Sequence, residues 1–255
     1  MTVTRWTWAA TSCRGVSHQR ADIRLQDAFK CVVGKGTSEP IVIVVSDGAG
    51  TATFGGEGAS LICRTIARCA RRHFEANVCM PNSDALEAWV DTARDHIAAI
   101  AGRRQLSPRD FAATLVAVIS DGTESVTVHI GDGCAVLKDV ERNAWIASTW
   151  PDHGEYASTT HFLTDEPIAH VRVTSYTGLI SGIAVFSDGL ERLVLDLRAN
   201  EPYGPFFERM ISPVVNSVAR GKDRDLSLKL RAYLDGEQIN NRTDDDKTLV
   251  LAVRR

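Results

Sequence analysis

The amino-acid sequence predicts an α+β fold with sheets covered by helices, and three observations carry that reading. Strand-like runs cluster between Ala113 and Ala147, two amphipathic helical stretches precede them, and further strands and two helices follow before a last strand at Thr248–Val253. With 255 residues, 44% of them hydrophobic, the chain can bury a substantial core as one domain spanning residues 1–255. No internal repeat or low-complexity linker marks a boundary within it.

In order along the chain, a polar stretch from Gly15 to Arg20 leads to Gln26-Asp27. Ile41–Ser46 (IVIVVS) is short and β-branched, as a buried strand is, and it stops at Asp47-Gly48-Ala49-Gly50 before a Gly/Thr-rich loop through Gly58. Leu61, Ile62, Ile66, Cys69, Ala70 and Phe74 then recur at helical spacing, opposite Arg64, Arg68, Arg71 and Arg72. Ser83 is the expected N-cap of a second helix, whose apolar stripe runs through Leu86, Trp89, Val90, Ala93, Ile97 and Ile100. Thr114–Ile119 and Val126–Ile130 form a hairpin across Asp121-Gly122, and Ala135–Leu137 and Ala144–Ala147 are expected to continue it as a meander. A polar loop, Trp150–Pro167, precedes strands at Val171–Ser175 and Ile183–Phe186, the second of which ends at Ser187-Asp188-Gly189. Helices around Pro205–Val218 and Leu226–Leu234 and a polar loop lead to Asp244-Asp245-Asp246 and the last strand.

Composition narrows the function. A net charge of −3 leaves no electrostatic footprint for nucleic acid, and no apolar run is long enough to cross a bilayer. Met1–Arg14 lacks the apolar stretch of a secretory signal, so a cytoplasmic protein is expected. The six cysteines show no CxxC pair or regular spacing, which argues against a disulfide framework or a thiolate zinc site and for structural roles. His153 and His161 lack ligand-like spacing and are expected at the surface, while the tryptophans, Trp6 and Trp8 among them, are expected in the core or covering it.

The informative feature is the placement of acids at strand ends. Asp47 and Asp188 each terminate an apolar strand and precede Gly, whereas Asp245 precedes a strand. If the last strand runs antiparallel to the other two, all three carboxylates fall on one sheet edge. Such a cluster repels itself unless protons or cations neutralise it, and oxygen-only ligands suit Mg²⁺ or Mn²⁺. Asp-Gly is also a turn signal, and the chain has five such pairs. Asp121-Gly122 is assigned to a hairpin and Asp235-Gly236 to a helix stop; Asp132-Gly133 suits a turn and a catalytic role equally. Asp47 and Asp188 differ because a loop or helix follows each of them.

At these residues the chain resembles a family. Asp47-Gly48-Ala49-Gly50 with Gly55–Ser60 resembles the Asp-Gly-x-Gly segment of metal-dependent protein phosphatases of type 2C. Gln26-Asp27-Ala28 is similar to the early acidic motif, Ala113-Thr114-Leu115 to the small-residue strand, and Ile130–Gly133 to the Gly-Asp motif. Phe186–Leu190 resembles the Ser-Asp-Gly motif and Asp245–Thr248 the closing Asp-Asn-x-Thr, all in the family's order from Gln26 to Val253. The resemblance, to a stand-alone prokaryotic-like member, implies a single catalytic domain built as a four-layer α-β-β-α sandwich, two central antiparallel sheets flanked by helix pairs. It also implies two or three Mn²⁺ or Mg²⁺: Asp47 bridging a pair, the Gly48 carbonyl on one, Asp188 and Asp245 on the other, and Asp27 orienting water. The implied reaction is hydrolysis of phosphoserine or phosphothreonine in proteins, in which a hydroxide held between two cations attacks phosphorus in line. Phosphorylated proteins are then the partners, with a cognate kinase opposing the enzyme, and neither nucleic acid nor membrane is involved. The absence of a Cys-x5-Arg loop argues against a cysteine phosphatase.

Some positions depart from the family pattern. Gln26 stands where many members have Glu, Ala49 where some have a His proposed as general acid, and Asp246 where Asn is common. Asp246 would add negative charge beside the metals. Arg20 and Arg24 both precede Gln26-Asp27, and Arg20 is the preferred phosphate-binding residue. Gln26, Asp132, Asp152, Glu155 and Asp246 are candidates for supporting positions or for a third metal. Two other functions fit the same motifs: a pseudophosphatase acting as a binding module, favoured by Gln26 and Ala49, and a phosphatase of small phosphorylated metabolites.

Overall fold

The computed structural model describes residues 6–34, 39–153, 160–167 and 169–255. The chain opens with Trp6–Cys13 (β1), Val16–Arg20 (α1), Ala28–Val33 (β2) and Ile41–Ser46 (β3), followed by the long helices Gly55–Ala76 (α2) and Ser83–Arg104 (α3). Six strands come next: Leu115–Ser120 (β4), Glu124–Ile130 (β5), Cys134–Asp139 (β6), Ala144–Thr149 (β7), Arg172–Thr177 (β8) and Ile180–Phe186 (β9). Short pieces then alternate: Glu191–Val194 (α4), Leu195–Asp196 (β10), Glu201–Pro202 (β11), Gly204–Asn216 (α5) and Gly221–Lys222 (β12). Arg224–Leu234 (α6), Glu237–Asn240 (α7) and Lys247–Arg254 (β13) complete the chain.

Two sheets stack face to face. One has the order β2-β3-β4-β5-β8, antiparallel throughout. The other has the order β12-β1-β13-β9-β6-β7 and is antiparallel except where β12 lies beside β1. Because successive strand residues face opposite ways, β3 serves two cores at once. Its Val42 and Val44 pack with Ile62, Ile66 and Ala70 of α2, whereas Ile41, Ile43 and Val45 pack with Leu137, Ile183, Val185 and Val250 of the facing sheet. Burial on both faces is why this strand reads as an unbroken apolar run. On the far side, Phe186, Leu249 and Leu251 pack with Phe207, Ile211 and Leu230 of α5 and α6. The result is the four-layer α-β-β-α sandwich that the motifs imply.

Three expectations need correction. The strands after Ile130 do not extend the hairpin as a meander: β5 lies in the five-stranded sheet and β6 in the six-stranded one, so Gly131-Asp132-Gly133 carries the chain across the sandwich. Nor does the last strand run beside both acid-bearing strands, since β13 pairs with β9 and β1, while β3 is in the facing sheet. The acids of β3 and β9 come together because two stacked sheets end at one edge. Finally, Asn82, not Ser83, caps α3, its side-chain oxygen accepting the Ala85 N–H at 3.0 Å. The tryptophans fulfil the core reading: Trp6, Trp89 and Trp145 are buried.

Candidate metal centre

Each acid arrives on a segment with a defined anchor. Beyond β3, Asp47 is clamped by Thr114, whose hydroxyl accepts the Asp47 N–H at 3.0 Å and whose own N–H donates to the Asp47 carbonyl at 2.8 Å. The next residue must be glycine, because a Cβ on Gly48 would lie 2.3 Å from the Gly55 carbonyl carbon where α2 begins. Beyond β9, Asp188 opens a short 3-10 turn, Asp188–Leu190. A Cβ on Gly189 would lie 1.9 Å from the Asp246 carbonyl oxygen, so the loop entering β13 rests directly on this turn. Asp132 comes from the crossover between the sheets.

Asp47, Asp132 and Asp188 each offer a carboxylate oxygen within 4.8 Å of the others. Burial raises the Asp47 carboxyl well above the usual carboxylate range, and repulsion from Asp27, Asp188 and Asp132 adds to it. Asp188 is raised in the same way, by burial first and then by Asp132, Asp245 and Asp27; Asp132 is raised chiefly by burial. Asp27 is pushed up by burial to about 6, against the opposing effect of the neighbouring Asp47 carboxyl and of two hydroxyl donors. Those hydroxyls, Ser187 Oγ and Thr248 Oγ1, both donate to Asp27 Oδ2 at 2.7 Å. Asp27 Oδ1, Asp132 Oδ1 and Gln26 Oε1 are buried without a protein partner. Among the described residues, no lysine or arginine forms an ion pair with Asp47, Asp132, Asp188 or Asp245. Lys247 is buried nearby, but its Nζ donates to Asn240 Oδ1 at 2.9 Å and to the Asp245 carbonyl at 3.2 Å. Crowded carboxylates with orphaned oxygens and no neutralising cation fit hard divalent metals, whose binding removes both penalties.

The other expected positions divide. Asp245 is half-buried beside this group, close enough to raise Asp188, and its Oδ1 accepts the Asp246 N–H at 2.7 Å. The Asp246 side chain is committed elsewhere: it accepts the N–H groups of Gly15 and Gln26, each at 2.6 Å, and lies 3.0 Å from His18 Nδ1. It therefore ties α1 and the Gln26 segment to the centre, and its negative charge also helps to raise Asp27, in line with the extra charge expected there. Arg20 is exposed at the end of α1 and does not line the cleft. The cleft, about 380 Å³, has Arg192 and Arg242 in its wall instead, near Asp132, Asp188 and Asp245. Sequence reasoning missed both arginines; their signal was proximity, four residues after Asp188 and three before Asp245.

His153 is exposed, as expected, and His161 is half-buried, and both stand beside other functional groups. His153 lines the cleft with its Nε2 3.1 Å from Glu191 Oε1. His161 stands with Asp152 and His170 in a second group of candidate ligands, so Asp152 belongs there and not with the acidic centre. Glu155 lies outside the described residues.

Comparison with known proteins follows the same line. The family described as protein phosphatase 2C matches residues 14–235. Serine/threonine-protein phosphatase 3 of Escherichia coli (strain K12) is 34% identical over 254 residues, covering 97% of this chain and 98% of that protein. The catalytic domain of the serine threonine protein phosphatase PstP, solved in complex with 2 manganese ions, superposes with a TM-score of 0.63 at 18% identity, covering 98% of this chain and 99% of that one. The serine/threonine phosphatase Stp1 from Staphylococcus aureus superposes with a TM-score of 0.62 at 15% identity, covering 96% and 94%.

Proposed function

This chain belongs to the protein phosphatase 2C family, and we propose that it removes phosphate from phosphoserine and phosphothreonine in proteins by metal-assisted hydrolysis. The observation that carries the reading is the meeting of Asp47, Asp132 and Asp188 at one sandwich edge, with orphaned oxygens on Asp132 and the adjoining Asp27 and no lysine or arginine ion-paired to them among the described residues. Two Mn²⁺ or Mg²⁺ would be held by Asp47, the Gly48 carbonyl, Asp188 and Asp245, with Asp132 available for a third. When bound, such cations supply Lewis-acid activation of water and neutralise charge on the phosphoryl oxygens.

The chain's own residues do the rest. The Ser187 and Thr248 hydroxyls hold Asp27 by Oδ2, which leaves Oδ1 to orient the attacking water. Arg192 and Arg242 in the cleft wall receive the phosphorylated segment, a role Arg20, which lies outside the cleft lining, is poorly placed to fill. Phosphoproteins are thus the partners, and a kinase that installs the phosphate belongs to the same proposal. Among the described residues, no helix is long and apolar enough to cross a membrane, and action in the cytoplasm completes the reading.

The test is hydrolysis of a phosphothreonine peptide in Mn²⁺ and in EDTA, with Asp47→Asn alongside. The expected outcome is Mn²⁺-dependent release of phosphate that the variant abolishes. Undiminished release in EDTA overturns the metal reading, and no release by the wild type in Mn²⁺ favours a binding module. A panel of phosphorylated metabolites hydrolysed far better than the peptide would move the substrate class.

A further inference from the structure

We propose that Asp152, His161 and His170 form a transition-metal site of the zinc type, separate in position and chemistry from the acidic centre. The ligating atoms of these residues all lie within 4.8 Å of one another. His170 Nδ1 is 3.0 Å from Asp152 Oδ2, and the His161 and His170 rings stand 4.7 Å apart at 65°. The three residues come from segments that are each pinned by the backbone. Asp152 donates its N–H to the Gly131 carbonyl at 2.9 Å. Next to His161, Phe162 N–H donates to Asp165 Oδ2 at 2.8 Å and Leu163 N–H to the Ala113 carbonyl at 2.9 Å. Two residues after His170, Arg172 pairs with His129 where β8 joins the sheet beside β5. The ligands are therefore held together before any ion arrives, which lowers the ordering cost of binding.

Two imidazoles and one carboxylate suit zinc and its neighbours, whereas magnesium prefers oxygen alone. Arg172 is an outer partner of the carboxylate: its Nε lies 3.4 Å from Asp152 Oδ2 and its Nη2 donates to the Trp150 carbonyl at 2.6 Å, so it fixes the orientation of the ligating carboxylate. An ion here would clamp Asp152 and the His161–His170 segment around Gly131, whose neighbour Asp132 belongs to the acidic centre; the His161 carbonyl oxygen lies only 2.9 Å from where a Gly131 Cβ would be. Zinc would thereby steady Asp132 from outside the cleft.

The experiment titrates the full chain with zinc chloride in excess Mg²⁺, dialyses it, and measures zinc retained per chain. The visible spectrum of the cobalt-loaded protein is the second readout. One zinc per chain is expected. It should be lost in His161→Ala and in His170→Ala, each weakening binding by more than the roughly 10–100-fold that loss of an outer partner costs. Asp47→Asn should keep the zinc, and the histidine variants should still hydrolyse p-nitrophenyl phosphate in Mg²⁺. If an alanine variant fails to fold, His170→Gln with Asp152→Asn removes the same ligands at nearly constant shape. Zinc retained in the histidine variants, zinc lost only with Asp47→Asn, or no zinc in the wild type each overturns the assignment. The readout is metal content, so it stands whether or not the phosphatase reading does.

Discussion

Replacing Asp27 with asparagine should stabilise the metal-free protein at neutral pH, and the size of the gain follows from where the carboxyl sits. Asp27 is 7% exposed, and burial lifts its pKa from 3.8 to about 6. Below pH 3.8 the folded and unfolded chains are both protonated there, and no charge is buried. As pH rises, the unfolded chain releases the proton first, so stability falls until the folded chain also ionises near pH 6. That gap corresponds to about 3 kcal/mol at pH 7, or about 6–12 °C in melting temperature for a chain of this size. Asparagine escapes the penalty while keeping the local bonds, because its oxygen can accept both hydroxyls. The assay is thermal melting of both proteins in EDTA from pH 4 to pH 8. The curves should converge near pH 4 and separate by that amount at neutral pH, and saturating Mn²⁺ should close or reverse the gap. A variant less stable than the wild type at pH 7 in EDTA, or a gap that ignores pH, would refute the reasoning.

Other consequences are equally open to measurement. Asp246→Asn leaves one acceptor where two backbone N–H groups donate, so denaturant unfolding should show a loss of about 1–3 kcal/mol; an unchanged midpoint would deny the tie its role. His129 is buried, and burial with the nearby Arg172 pushes its pKa down to about 3. Its ring resonances should therefore stay flat between pH 5 and 8, and the stability it lends above pH 6.5 should fade as pH drops toward 3. A midpoint near 6.5 would contradict that. Arg192→Ala and Arg242→Ala should raise KM for a phosphopeptide more than for p-nitrophenyl phosphate, with Arg20→Ala changing neither; the reverse order would return the phosphate to Arg20.

Much of this was legible in the sequence, and the misses have physical causes. Ile41–Ser46 stood out because both of its faces are buried, and Asp47 and Asp188 stood out because loop or helix follows them. Strand β1 escaped notice although it lies inside a sheet: it too is largely buried on both faces, but its Ala, Thr and Ser residues lack the apolar bulk that marks such a strand. The crossover at Gly131–Gly133 resembled a hairpin turn because local sequence says where a chain reverses, not which sheet receives it. The Asp152, His161 and His170 group meets only in the folded chain, so no spacing announced it; Arg192 and Arg242 lie near Asp188 and Asp245 in sequence, but only the fold shows that they share one cleft wall.

The central claim is that carboxylates from both sheets hold divalent cations at one edge of the sandwich. Crystals grown in Mn²⁺, measured at the manganese absorption edge, test it most directly. Anomalous peaks should appear among Asp47, Asp132 and Asp188 and vanish from Asp47→Asn crystals. An Mn²⁺-activated enzyme with no peak at that edge, or with manganese bound elsewhere, would contradict the account.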